Sequence, residues 1–428
     1  MSARRCPRLT DVWSVDEHRD DVLAAVRPLA PIDLPLLDAD GCVLVEDVAV
    51  HDALPPFDNS SMDGYAVRTA DVETATDAFP AVLRVIGDIA AGSGDLPAIG
   101  PGEAARIMTG APLPPGAQAV VPVEWTDGGT GAGPAVAMTG RAHGPEVRVH
   151  RPAAAGAHIR GRGSDAAPGT VALPAGTVLG APQLGLLAAI GRAAVPVRPR
   201  PRVVVLSTGS ELTAPGRPLA PGRVHDSNGF MLTAAARAAG AVAYRAAAVA
   251  DDADTLRATL DDQFGRADLV VTSGGVSVGA YDVVKEALEG EAEFRRLAMQ
   301  PGKPQGFGLI GPGRVPLFAL PGNPVSAYVS FELFVRPALR AMAGHTGAAL
   351  HRPRTTARLV TDAPLSSPAG RRQYLRGAHL AAEGTVRPVG GAGSHLVAAL
   401  AQADALIEIP ETVTEVVPGA ELTVVLLG

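Results

Sequence analysis

Three short stretches carry residues whose types and spacing suit anion chemistry. Between Asp268 and Ser326 the chain runs DLVVTSGGVSVGAYD, then MQPGKPQGFG, then LFALPGNPVSA. The β-branched run 269–272 stops at Ser273-Gly274-Gly275, the pattern of a buried strand feeding a loop. Adjacent glycines let a backbone approach a ligand closely or adopt positive φ. The apolar run 317–320 likewise ends in a Pro321-Gly322 turn, and Asn323-Pro324 then opens a long apolar helix with Ser326 in its first turn. Free N–H groups and partial positive charge at such a start suit an anion. Lys303, in Pro301-Gly302-Lys303-Pro304, adds a full positive charge. The expected chemistry is binding of an anion or phosphate in an α/β domain.

Carboxylates gather beside these loops in sequence. Glu211 follows a third strand-end turn, Ser207-Thr208-Gly209; Asp226 precedes Asn228; Asp251 and Asp252 follow an apolar run; Asp282 follows the loop 274–279, which contains Ser277. Helix N-caps account equally well for Asp252 or Asp282. Several carboxylates on one sheet edge with phosphate-type loops suit Mg²⁺ bridging a phosphorylated substrate. Two further loops are polar. His51 to Arg68 reads HDALPPFDNSSMDGYAVR, either side-chain turns or carboxylates presented to a cleft, and residues 159–165 read IRGRGSD.

The elements that must position these residues follow from periodicity. Ser14-Val15-Asp16-Glu17 matches a capping box and predicts a helix near 14–27. From Gly41 to about His150 short β-type runs alternate with Gly/Pro turns, which predicts a small β domain with an exposed hairpin tip at 126–134. From Arg202, strands at 203–206, 241–249, 269–272 and 317–320 alternate with helices near 228–239, 254–264 and 282–288 and a last one from Pro324 to Met342. That order implies a central, doubly wound, mostly parallel sheet covered on both faces, with ligand loops converging at the strands' C-terminal ends. From His351 the chain returns to strands, a small C-terminal β domain or barrel containing Arg376 and the Gly393-Ser394-His395 turn. The expected domains are an N-terminal region 1–180 with a β domain inserted at about 45–150, a central α/β domain 181–345, and a β domain 350–428.

Composition removes several classes. The 428 residues are 47% apolar and 19% charged, and 49 glycines and 38 prolines spread without a period, so the chain reads as several folded domains. A net charge of −7 and 4% aromatic residues disfavour a nucleic-acid platform. Only Cys6 and Cys42 are present, which excludes a disulfide scaffold and a cysteine zinc site. Neither a signal-peptide core nor an apolar run of about 18 residues occurs, so no membrane and a cytoplasmic location are expected. Walker and GxGxxG patterns are lacking.

Taken together the motifs resemble the molybdopterin molybdenumtransferase family (MoeA in bacteria, the C-terminal region of gephyrin in animals). The resemblance is carried by FDNSSMDGYA from Phe57, RIMTGA from Arg106, Ser207-Thr208-Gly209, SGGVSVG from Ser273, Pro301-Gly302-Lys303-Pro304 and LPGNPVS from Leu320. It implies insertion of molybdate into adenylylated molybdopterin, with Mg²⁺-dependent release of AMP. It further implies a homodimer whose cleft is shared between subunits, with a molybdopterin adenylyltransferase and molybdoenzyme acceptors as further partners. Asp63, Thr109, Arg160, Asp165, Glu211, Asp251 and Asp282 match positions that matter for activity in the family. Lys303, Pro304, Ser326, Arg376 and Ser394 match its molybdate pocket. Ser207, Thr208, Gly209, Ser273, Gly274, Gly275 and Ser277 are the loop residues expected to meet the substrate, with Thr109 and Arg160. Two departures stand out: Ser164 replaces a frequent glutamate, and Gln300 replaces a frequent lysine, leaving Arg296 near in sequence. Altered molybdate affinity is expected. The competing readings are a molybdopterin adenylyltransferase, which should consume ATP, and a non-catalytic carrier or scaffold.

Overall fold

Ser14 starts the first helix as its sequence predicts. Its hydroxyl accepts the amide of Glu17 at 3.1 Å, and the Glu17 carboxylate accepts the amide of Ser14 at 2.8 Å, closing the capping box. The computed structural model describes residues 12–140, 144–276 and 283–428. Among them the helices are α1 (Val15–Ala25), α2 (Ala181–Ala189), α3 (Asn228–Ala238), α4 (Ala253–Phe264), α5 (Val283–Ala287), α6 (Pro324–Ser330), α7 (Arg336–Met342) and α8 (Val397–Ala401). The chain divides into two units. One contains the residues up to Leu34, Gly41–Val45 and Pro196–Gly428; the other contains Pro35–Asp40 and Glu46–Val195.

The first unit is built on a seven-stranded sheet, in spatial order Val12–Trp13, Ala292–Leu297, Pro304–Ile310, Val315–Leu320, Leu269–Ser273, Arg202–Ser207 and Val242–Arg245. Four of its pairings are parallel; Pro304–Ile310 runs antiparallel to both neighbours. The mostly parallel sheet is therefore present, with an antiparallel hairpin added on one side. Alternation along the strands feeds two cores. Val203, Val205, Leu269, Val271, Phe318 and Leu320 pack with α1, α3, α6 and α7. Val204, Leu206, Val270, Leu317 and Ala319 face Leu256 and Leu260 of α4 and Val283 and Val284 of α5. Each such buried aliphatic side chain contributes about 2 kcal/mol.

The long helix expected after Pro324 is not uniform. Between α6 and α7 the backbone widens into a π-helical turn, Phe331–Val335. All five of its residues are buried, as are Arg336–Leu339 in the regular turn that follows, so the helix is enclosed on all sides here. Glu332 meets Arg352 there in two hydrogen bonds of 2.8 and 3.1 Å. Beyond lies a six-stranded sheet, Met299–Gln300, Arg372–Leu380, Thr385–Pro388, Arg354–Leu359, Glu421–Leu426 and Ala405–Ile409. It closes into a small barrel because Arg372–Leu380 also pairs with Ala405–Ile409. Gly377 makes that closure possible: a Cβ there would lie 2.9 Å from both Ile407 and Val386.

The second unit holds a five-stranded sheet, in order Glu146–Val149, Ala81–Ile89, Glu103–Ile107, Gly64–Val67 and Ala119–Pro122. Gly64 is required by close packing, since a Cβ would lie 2.0 Å from the Val121 carbonyl oxygen. The segment expected as an exposed tip at 126–134 is exposed over residues 130–134 and anchored at its base. Asp127 is buried and accepts amides of Gly129 and Gly131 and, at 3.0 Å, the strand amide of Arg148.

Candidate functional site

Register brings the three strand-end loops of the first unit to one edge. Ser207 lies opposite Ser273, and Ser273 opposite Leu320, so all three parallel strands stop at the same level. The amide of Thr208 donates to the Ser273 carbonyl at 2.9 Å, and that of Gly274 to the Leu320 carbonyl at 3.1 Å. Gly274 and Gly275 have φ of +104° and +64°. A Cβ on Gly274 would lie 2.5 Å from the Thr208 carbonyl oxygen, so the loops touch only because this residue is glycine. Asn228, the first residue of α3, ties the loops together. Its amide nitrogen donates to Ser273 Oγ at 2.7 Å and to the Gly322 carbonyl at 2.6 Å. Asp226 supports this from behind. Buried, it accepts the Ser207 hydroxyl and the Gly229 amide, both at 2.9 Å, and faces Arg245 at 3.5 Å. Sequence reasoning had noticed Asp226 as a carboxylate but missed Asn228. The visible signal was an Asp-Ser-Asn run placed where a loop enters a helix.

The cationic turn stands on the same edge. Pro304 opens the antiparallel strand whose Gly306 pairs with Ala319, one residue before the Leu320 end. Lys303 is half-buried, and no side-chain partner is found for it among the described residues. Ser326 is buried in the first turn of α6, and the amide of Val325 beside it donates to the Ser394 carbonyl at 3.0 Å. The turn of the barrel thus covers the helix start. Asn323 occupies the N-cap position, yet its side chain accepts no helix amide. Arg376 is committed to the barrel loop. Its guanidinium donates to the carbonyls of Val389 at 3.3 Å, Gly393 at 3.2 Å and Gly391, and burial pushes it below the ordinary arginine value. Its visible contacts shape the loop that carries Ser394.

Of the carboxylates, Asp251 Oδ2 accepts the amide of Ser210 at 2.8 Å while Ser210 Oγ accepts the Asp251 amide at 3.1 Å. Glu211 folds back over Gly209, where a Cβ would lie 2.5 Å from its Oε2. Asp252 caps α4 by accepting the Thr255 amide at 2.8 Å. Ser277 and Asp282 lie outside the described residues. Among those described, no three His, Cys, Asp or Glu side chains gather as a metal cage. Two exposed carboxylates beside phosphate-type loops nevertheless fit Mg²⁺, which keeps most of its waters and takes one or two carboxylates plus phosphate oxygens.

In the second unit the strand pair Asn59–Ser60 and Ile159–Arg160 joins the two polar loops. The Ser61 amide donates to the His158 carbonyl at 2.9 Å, and the Gly110 amide to that of Ser60 at 2.8 Å. Asp63 Oδ1 accepts both the amide and the hydroxyl of Thr109, at 2.7 and 2.8 Å. These bonds hold its carboxyl below the ordinary value against a small opposing effect of burial. Asp58, which sequence reasoning did not select, accepts the Arg162 amide at 2.6 Å and fixes the second loop. Arg160 and Asp165 are exposed. Asp63 and Thr109 are therefore in direct contact, with Arg160 and Asp165 on the adjoining loop.

An apolar hollow of about 460 Å³, lined by Met231, Tyr328, Val397, Leu400 and Leu427 among others, contains none of these residues.

Comparison with known proteins bears on the whole chain. Residues 13–191 match the MoeA N-terminal region (domain I and II), residues 204–341 the probable molybdopterin binding domain, and residues 358–427 the MoeA C-terminal region (domain IV). Molybdopterin molybdenumtransferase 2 of Mycobacterium tuberculosis is 46% identical over 420 residues, covering 96% of this chain and 98% of its own. The molybdopterin molybdenumtransferase of Bacillus subtilis is 35% identical over 370 residues, covering 86% and 83%. The crystal structure of a molybdopterin biosynthesis MoeA protein from Pyrococcus horikoshii matches with a TM-score of 0.78 at 33% identity, covering 98% and 100%.

Proposed function

The chain belongs to the MoeA family of molybdopterin molybdenumtransferases, and on that premise we propose that it inserts molybdate into adenylylated molybdopterin with Mg²⁺-dependent release of AMP. Its place is molybdenum cofactor biosynthesis. The observation that carries the finer reading is the convergence of three strand-end loops, tied by Asn228, beside Lys303, which has no side-chain partner among the described residues.

Molybdate is a tetrahedral dianion. In this reading Lys303 supplies charge, the hydroxyls of Ser326 and Ser394 supply donors, and Pro304 and Arg376 hold the walls of the pocket. Loops 207–209 and 273–275 bind the pterin and its phosphates, with Ser277 and Asp282 continuing the second loop. Glu211, Asp251 and Asp282 would hold Mg²⁺, which when bound would supply positive charge to the substrate's phosphates. The substrate's own dithiolene sulfurs receive the metal, so no protein thiol takes part; Cys42 is buried. Asp63, Thr109, Arg160 and Asp165 act from the partner subunit of a homodimer. The adenylyltransferase and scaffold readings are not retained, because the match extends over all three regions of molybdenumtransferases.

Purified protein given adenylylated molybdopterin, Mg²⁺ and molybdate should release AMP without consuming ATP, and Asp282→Ala should abolish the release. Absence of AMP under these conditions would overturn the reading. Mixing Asp63→Ala with Lys303→Ala subunits should restore part of the activity that each lacks alone; no recovery removes the shared cleft.

A further inference from the structure

We propose that Gln305 and Ser330, neither of which faces the substrate in the reading above, are positioning residues that set Lys303 in place for molybdate. The inference rests on the assignment of Lys303 to the anion. Gln305 is 2% exposed and Ser330 fully buried. The amide nitrogen of Gln305 donates to the Gly302 carbonyl and to Ser330 Oγ, both at 2.6 Å. One side-chain amide therefore links the Pro301-Gly302-Lys303 turn to the last residue of α6. Gly302 lies against that same residue: with φ of +99°, a Cβ there would sit 2.9 Å from Ser330 Oγ and 3.0 Å from Met299 Cε.

The position of Ser330 on its helix gives the link its purpose. Ser326 and Ser330 are four residues apart within α6, so they lie one above the other on one face. Fixing Gly302 to Ser330 fixes the turn that carries Lys303 relative to the helix face that carries Ser326. Lys303 itself has no side-chain partner to hold it among the described residues. Its backbone carbonyl accepts the Leu297 amide at 2.7 Å, which holds one side of the turn; the Gln305 amide holds the other. A flexible lysine placed this way loses less freedom when the dianion arrives, and that gain appears as molybdate affinity.

The test is steady-state kinetics on the full-length protein with molybdate and adenylylated molybdopterin varied separately. Gln305→Met keeps the length of the side chain and removes both donors; Ser330→Ala removes one acceptor and leaves the Gly302 bond. Gln305→Met should raise the KM for molybdate about tenfold and Ser330→Ala about threefold, with kcat and the KM for the pterin substrate within about twofold of the parent. Because Gln305 acts through Lys303, the double variant Gln305→Met/Lys303→Ala should match Lys303→Ala alone. Equal rises in both KM values, a loss confined to kcat, or multiplied effects in the double variant would each overturn the proposal. If Lys303→Ala raises the molybdate KM while both Gln305→Met and Ser330→Ala leave it unchanged, the positioning role falls alone. If Lys303→Ala itself leaves it unchanged, the anion assignment falls and the proposal with it.

Discussion

Asp63 keeps its charge through one neighbour. Both donors of Thr109 stabilise the carboxylate, so its pKa in the folded protein lies below 3.8. A depressed carboxyl stabilises the fold above its unfolded value, and that contribution is lost as pH falls through the folded value. Thr109→Val retains the backbone bond and removes the hydroxyl, so the pKa of Asp63 should rise toward 3.8. An NMR titration of the carboxyl checks this, and an unchanged midpoint would show that the backbone bond alone sets it. Gln300, where the family resemblance leads to the expectation of a lysine, allows the reverse experiment. It lies in the short strand Met299–Gln300 directly before the cis-linked Pro301 of the cationic turn. Adding charge there by Gln300→Lys should lower the molybdate KM by about threefold, the effect of one part-screened charge. No change in AMP release against molybdate concentration would refute it.

Elements separate residues that sequence leaves equivalent. Asp251 and Asp252 are adjacent carboxylates at the same strand end, yet Asp252 turns into α4 as its cap while Asp251 turns to the Ser210 loop. Asp252→Ala should lower the melting temperature by removing the helix cap and leave turnover near normal. Asp251→Ala should do the opposite, removing activity with a small change in melting temperature. Equal effects of the two variants would contradict the division. Gly274→Ala tests the loop junction itself. Positive φ and a 2.5 Å approach to Thr208 both oppose a side chain, so destabilisation of about 3 kcal/mol and loss of substrate binding are expected by thermal melting and titration.

At the scale of the molecule, pH dependence is concentrated where α1 seats on the first unit. His18 is buried edge-on against Phe334 at 4.7 Å and beside Arg295. Burial first, and then the Arg295 charge, push its pKa down to about 3. The unfolded chain takes up that proton near pH 6.5 and the folded one does not until about pH 3. Stability should therefore fall as pH drops below about 6.5, by about 1.4 kcal/mol per unit for this one proton. His345, lowered to about 4 by burial and by Arg340 and Arg336, adds in the same direction over a shorter range. His18→Leu should remove about one proton's worth of the slope between pH 6.5 and 4 in urea unfolding, and an unaltered slope would place the linkage elsewhere. The same region carries Arg372, which joins Asp16 of α1 at 2.9 Å to Glu411 of the barrel at 3.1 Å.

Much of this architecture was legible because local physics and global fold agree. The capping box, the alternating apolar strands, the glycines at strand ends and the barrel strands each follow from short-range rules that tertiary contacts did not override. The loops containing Ser207, Ser273 and Pro321 could be expected to converge, since parallel strands share one C-terminal edge. Other features depend on partners far apart in sequence. Only the folded chain decided that Asn228 clasps loops 45 and 94 residues away, and that Gln305 ties Gly302 to Ser330. Likewise, only the fold turned Arg376 into the brace of a loop, buried Asp127 at the base of an apparent surface tip, and widened one helix at Phe331–Val335. Periodicity records which face of an element is apolar. It does not record which buried polar atoms from distant strands must satisfy one another, and that matching is made only when the sheet register is in place.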